Sequence, residues 1–152
     1  MLDVRAYRMG RKSKTETSLP ARTPRKLEGI LVVERDPDMQ WKLARMLTVQ
    51  GHRVVGTSSG DGALALVAQW PVDLILVGED LPGMSGLEVA SRLRKQTPGI
   101  PVVLMTKKET VESSLAARVV GVAASIVKPF RPEALASLVA QLFPVALDEP
   151  AE

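Results

Sequence analysis

The chain has 152 residues, 45% hydrophobic and 24% charged, a balance that suits one globular domain with an ordinary core and excludes a disordered or collagen-like composition. It has no cysteine, which excludes disulfides, thiolate metal sites and cysteine nucleophiles, and its one histidine, His52, excludes a histidine-rich metal cluster. The net charge of +3 divides unevenly: residues 1–27 hold eight Lys and Arg against two acids, +6, and the others hold twelve against fifteen, −3.

Residues 1–27 show neither helical nor alternating apolar periodicity, and Pro20 and Pro24 interrupt regular structure, so a flexible basic arm is expected there. Its charge suits nonspecific contact with nucleic acid or anionic lipid, docking to an acidic protein, or a solubility role. Tyr7 is its one aromatic residue, too few for a base-stacking set. No apolar run approaches the roughly 20 residues of a membrane helix. The N-terminus also lacks the apolar segment of a secretory signal, so a cytoplasmic protein without a transmembrane segment is expected.

From Gly29 onward, short β-branched runs alternate with amphipathic stretches. Strands are expected at Ile30 to Val33, Arg53 to Thr57, Leu74 to Val77, Val102 to Thr106 and Ser125 to Val127. The first helix has Asp36 as N-cap, Pro37 at its first position, Leu43, Met46 and Leu47 on one face and Gly51 as its stop. A second helix is expected near 60–70, where the glycine-rich run Gly56 to Gly62 reads as a capping loop rather than a phosphate cradle. The third opens with the capping-box spacing of Ser85-Gly86-Leu87-Glu88, and a fourth falls near 110–120. The last begins at Pro132 and carries Leu135, Leu138, Val139, Leu142 and Phe143 on one stripe. Trp41 and Trp70, in or beside helices, are expected to be partly buried.

Continuous apolar strands separated by helices predict a parallel sheet covered on both faces, a doubly wound (βα)5 architecture spanning 28–144 with a short flexible tail at 145–152. Its site should form at the carboxyl ends of the strands, around Glu34 to Asp36, Gly78 to Asp80, Thr106 to Lys108 and Lys128.

These segments are Ile30-Leu31-Val32-Val33-Glu34-Arg35-Asp36-Pro37, Asp73 to Gly78 running into Leu81-Pro82-Gly83-Met84-Ser85-Gly86, Pro101 to Thr106, and Val127-Lys128-Pro129-Phe130. In this order they resemble the receiver domain of two-component response regulators over nearly all of residues 29–143. The resemblance implies a flavodoxin-like fold. It also implies an aspartate acceptor ending the third strand, two acids after the first strand to hold Mg²⁺, a Thr or Ser after the fourth and a Lys before proline after the fifth. Such a carboxylate attacks a phosphoryl group whose charge the metal and the lysine stabilise.

The chain departs from that pattern at its centre. Four residues before Pro82, the acceptor position holds Gly78, which has no side chain. Glu79 and Asp80 follow it, but a step of one residue along a strand turns a side chain to the other face, so neither is expected to replace the nucleophile efficiently. The first metal acid survives as Glu34, while the second is Arg35. A guanidinium about 5 Å from Mg²⁺ is repelled by roughly 7 kcal/mol at an effective dielectric of about 20. No Mg²⁺ site and no other cofactor are therefore expected. Lys128 is expected to pair with Glu34, and Arg35 with Asp36 or Asp80 or with solvent, leaving Thr106 in a structural role.

The family's switch aromatic, three residues before the lysine, is replaced by Ser125. Val122, Ala123 and Ala124 before it, with Phe130 beyond, suggest an uncharged surface beside the fourth helix and fifth strand, part of the face through which receivers recurrently pair. The expectation is a phosphorylation-independent receiver, not an enzyme, that binds protein partners in bacterial signalling, with a homodimer through the fourth helix, fifth strand and fifth helix as one form. Two alternatives stand beside it: a sensor binding a small anion or metabolite between Arg35, Thr106 and Lys128, and a residual phosphotransfer protein using Asp80 or Glu79. Only nine residues follow Phe143, so sequence-specific DNA readout by this chain alone is not expected.

Overall fold

The computed structural model describes residues 26–144; the expected arm up to residue 25 and the tail at 145–152 lie outside the described residues. Five strands, β1 (Ile30–Val33), β2 (Val54–Thr57), β3 (Leu74–Gly78), β4 (Val102–Thr106) and β5 (Ala124–Val127), form one parallel sheet in the order β2-β1-β3-β4-β5. The five helices between and after them are α1 (Pro37–Val49), α2 (Gly60–Gln69), α3 (Gly86–Gln96), α4 (Val111–Val120) and α5 (Pro132–Leu142). Strand order reverses between β1 and β3, which opens a crevice at their carboxyl ends.

The inner strands β1, β3 and β4 are buried along their whole length because each face of the sheet has its own core. Leu31, Val33, Ile75, Val77, Val102 and Leu104 pack with Ala63 of α2, Val89, Ala90 and Leu93 of α3 and Ala117 of α4. The alternate residues Ile30, Val32, Leu74, Leu76, Val103 and Met105 pack with Leu43 and Leu47 of α1 and Leu135 and Val139 of α5. Asp36 caps α1 as expected, accepting from the Asp38 amide, and Ser85 accepts from the Glu88 amide, but the Glu88 carboxylate turns to Arg92 and leaves that capping box half formed; Ser59 accepts from Gly62, and Thr110, outside the sequence expectations, forms a reciprocal capping box with Ser113.

Three details differ from the sequence expectations. Strand β2 starts at Val54 and β5 at Ala124, while β3 extends to Gly78. Trp41 is 64% exposed, less covered than expected, and lies under the Arg45 guanidinium, 5.5 Å from the ring centroid, whereas Trp70, 49% exposed, is partly buried as expected. Leu27, expected to close the arm because residues 1–27 lack apolar periodicity, is instead buried in the second core. Its amide donates to Nδ1 of buried His52 at 2.9 Å, and burial lowers the His52 pKa from 6.5.

Candidate functional site

Glu34 follows β1 and stays in the sheet through its amide, which donates to the Thr57 carbonyl at 3.0 Å. Its residue is only 4% exposed, so its carboxylate requires partners. Oε1 accepts from Lys128 Nζ at 2.7 Å and Oε2 from the Asp36 amide at 3.1 Å. Lys128 is carried to this point by the end of β5, its amide donating to the Thr106 carbonyl at 2.7 Å. The expected Lys128–Glu34 pair is thus a short, mostly buried ion pair.

Gly78, the last residue of β3, pairs with Met105 and faces this carboxylate. A Cβ built on Gly78 would stand 2.9 Å from Glu34 Oε1, so the carboxylate occupies space that a side chain there would need. Gly86, opening α3, lies directly over the Gly78 carbonyl, a close approach that only a residue without Cβ permits.

Arg35 turns to the rim, its Nη1 3.6 Å from Asp80 Oδ2, with side chains 53% and 63% exposed. Asp36 serves chiefly as the N-cap of α1. Thr106 is buried and its Oγ1 has no hydrogen-bond partner among the described residues. A cavity of about 410 Å³ lies among Glu34, Arg35, Asp36, Glu79, Asp80, Lys107 and Lys128. A neighbouring one of about 460 Å³ runs between α3 and α4 over Leu104 and Thr106. Glu79 and Asp80 line both cavities, so Glu79 is not turned away from the site as strand alternation suggested. Strand β3 ends at Gly78, and beyond it the Glu79 carboxylate curls over the end of β4, where Oε2 accepts from the Lys107 amide at 3.1 Å. A contact between residues this far apart in the chain leaves no periodic trace in the sequence.

The uncharged stretch before Lys128 also requires correction. Val122 is fully buried in the first core and Ala124 is buried in the second; only Ala123 reaches partway to solvent. After Gly121 ends α4 with φ 92°, the chain drops at once into β5, and the Ala123 amide already bonds the Val102 carbonyl. Ser125 is half-buried opposite Leu104, and Phe130 packs against the second core. The apolar surface on this side belongs to other residues: Val111, Leu115 and Val119 of α4, 73%, 55% and 87% exposed, and Val127 of the edge strand β5. Their signal is legible as the i, i+4, i+8 spacing on α4.

The sheet order, the acid after β1, the threonine ending β4 and the lysine after β5 converge as one constellation, and the sequence model of the family described as "Response regulator receiver domain" matches residues 30–140. The chain belongs to this family. It is 33% identical over 101 residues to the probable transcriptional regulatory protein TcrX of Mycobacterium tuberculosis, covering 66% of this chain and 43% of TcrX. It is 39% identical over 101 residues to the transcriptional regulatory protein TcrA of the same species, covering 66% and 40%. The chain therefore spans less than half the length of these curated relatives. Among solved structures, a CheY-like receiver domain protein from Methanospirillum hungatei superposes with TM-score 0.73 at 26% identity, over 77% of this chain and 94% of that one.

The Mg²⁺ that the family implies does not fit these residues. Both oxygens of Glu34 are engaged by Lys128 and the Asp36 amide, Arg35 brings a cation in place of the second acid, and Gly78 offers no carboxylate. Among the described residues no helix is long and apolar enough to cross a membrane.

Proposed function

We propose that this receiver domain works without phosphorylation, as a cytoplasmic protein-interaction module in two-component signalling, and that it is not an enzyme. The observation that carries the reading is the environment of Gly78: the acceptor position has no side chain, and the space beside it holds the Glu34 carboxylate already paired with Lys128. A carboxyl nucleophile, a metal and a free lysine are the three components of phosphoryl transfer here. The first is missing at Gly78, the residues do not suit the second, and Glu34 engages the third. The exposed apolar residues of α4 and β5 support that side of the domain as its protein-contact surface, a second copy of the chain being the simplest occupant.

NMR spectra recorded with beryllofluoride and Mg²⁺ test the reading. Unchanged amide shifts at residues 78–80 and 106–108 are expected, and saturable shifts at these positions overturn it.

One observation favours a second reading, a ligand-binding sensor: the buried Thr106 hydroxyl lacks a partner among the described residues and borders a cavity. The anionic form of this reading has little support, because Arg35 and Lys128 are both paired with carboxylates. A rise in melting temperature with uncharged polar metabolites that Thr106→Val removes would favour the sensor, and no rise would count against it.

A further inference from the structure

The residue that ties the site to α4 is Glu79, which none of the family's phosphorylation chemistry, as described above, requires. It binds three different elements with three different groups. Its amide donates to the Met105 carbonyl of β4 at 3.0 Å, and its carbonyl accepts from the Gly86 amide at the start of α3 at 2.9 Å. Its carboxylate accepts from the Lys107 amide at 3.1 Å, in the segment between β4 and α4. The first two bonds fix the Glu79 backbone, so the carboxylate reaches Lys107 from a rigid base. Three residues after Lys107, Thr110 caps α4, and Val111, the first exposed apolar residue, follows it.

We infer that Glu79 is a clamp: its carboxylate holds the 107–110 segment against the end of β3 and thereby sets the position of α4 and its exposed stripe. The inference rests on the reading of a phosphorylation-independent domain, in which no phosphoryl group is available to organise this segment. A fixed negative charge supplied by the chain takes that part continuously. A hydrogen bond from an amide to a carboxylate is stronger than one between neutral groups, and this one joins Lys107 to the residue that continues β3.

The experiment is residue-resolved amide hydrogen exchange on the full chain, comparing wild type with Glu79→Ala, Glu79→Gln and the distant surface variant Glu133→Ala. Glu79→Ala is expected to speed exchange at Lys107 by about tenfold or more and to shift amide signals from 107 to 115. Glu79→Gln, which keeps an acceptor oxygen but loses the charge, should recover part of the protection, and Glu133→Ala should change neither segment. Unchanged Lys107 exchange in Glu79→Ala overturns the clamp, as does equal loosening by Glu133→Ala. Intact-mass analysis of the same wild-type sample after phosphodonor treatment separates the two ideas. A phosphorylated product defeats the underlying reading, whereas an unmodified chain with unaltered Lys107 exchange defeats the clamp alone.

Discussion

At the carboxyl edge of the sheet the charged groups are turned toward one another: Lys128 on Glu34, Arg35 on Asp80, the Asp36 amide on Glu34 and the Lys107 amide on Glu79. On the outer face of α4 the arrangement is reversed, with Val111, Leu115 and Val119 turned to solvent and no apolar neighbour covering them among the described residues. A site that awaits a ligand keeps polar groups unsatisfied, whereas a contact surface keeps apolar ones uncovered. By that criterion the edge of this domain is largely closed on itself, Thr106 excepted, and the side of α4 is open.

The largest effect should come from breaking the closed region. Lys128→Ala leaves the Glu34 carboxylate buried without its cation, and a loss of about 3–5 kcal/mol in urea denaturation is expected. A loss below about 1 kcal/mol would mean that Glu34 finds water in place of Lys128. Gly78→Asp comes next. Its Cβ would meet Glu34 Oε1 at 2.9 Å and its carboxylate would face a like charge, so destabilisation of about 1–3 kcal/mol is expected, without any gain of phosphorylation.

The opposite end of the sheet gives a pH-dependent comparison. Burial disfavours the His52 imidazolium, so the unfolded chain takes up this proton at higher pH than the folded one. The His52 contribution is complete above 6.5 and falls as pH drops below that value, levelling off once the folded-state histidine is also protonated. Denaturation midpoints of wild type and His52→Gln, measured from pH 7.5 downward, should therefore converge in acid; parallel curves would contradict the assignment. The smallest effect on stability belongs to the open region. Val119→Ser should change folding by less than about 0.5 kcal/mol, because the residue is 87% exposed, while weakening any association that uses α4. Sedimentation velocity against concentration measures the second effect.

The legibility of the molecule in its sequence follows the range of the interactions. Strands and helices are legible because local patterning sets them: β1 and β4 lie where their apolar runs lie, and Asp36 and Ser85 cap the helices they precede. The Lys128–Glu34 pair was legible from charge matching once the strand ends were known to converge. Val122 and Ala124 are buried although the sequence suggests surface, because residues with no charge look alike in a turn and in a short strand; the bond of the Ala123 amide to the Val102 carbonyl marks where β5 begins. The bonds of Glu79 to Lys107 and of His52 to Leu27 join backbone to side chain over 28 and 25 residues, and nothing in local periodicity encodes them.

The central claim is that the closed edge cannot accept a phosphoryl group, and intact-mass spectrometry of the full chain after incubation with acetyl phosphate and Mg²⁺ tests it most directly. An unchanged mass is predicted under conditions that phosphorylate an ordinary receiver run alongside. A chain carrying one added phosphoryl group, mapped to Asp80 or Glu79 and lost on the corresponding alanine substitution, would contradict it.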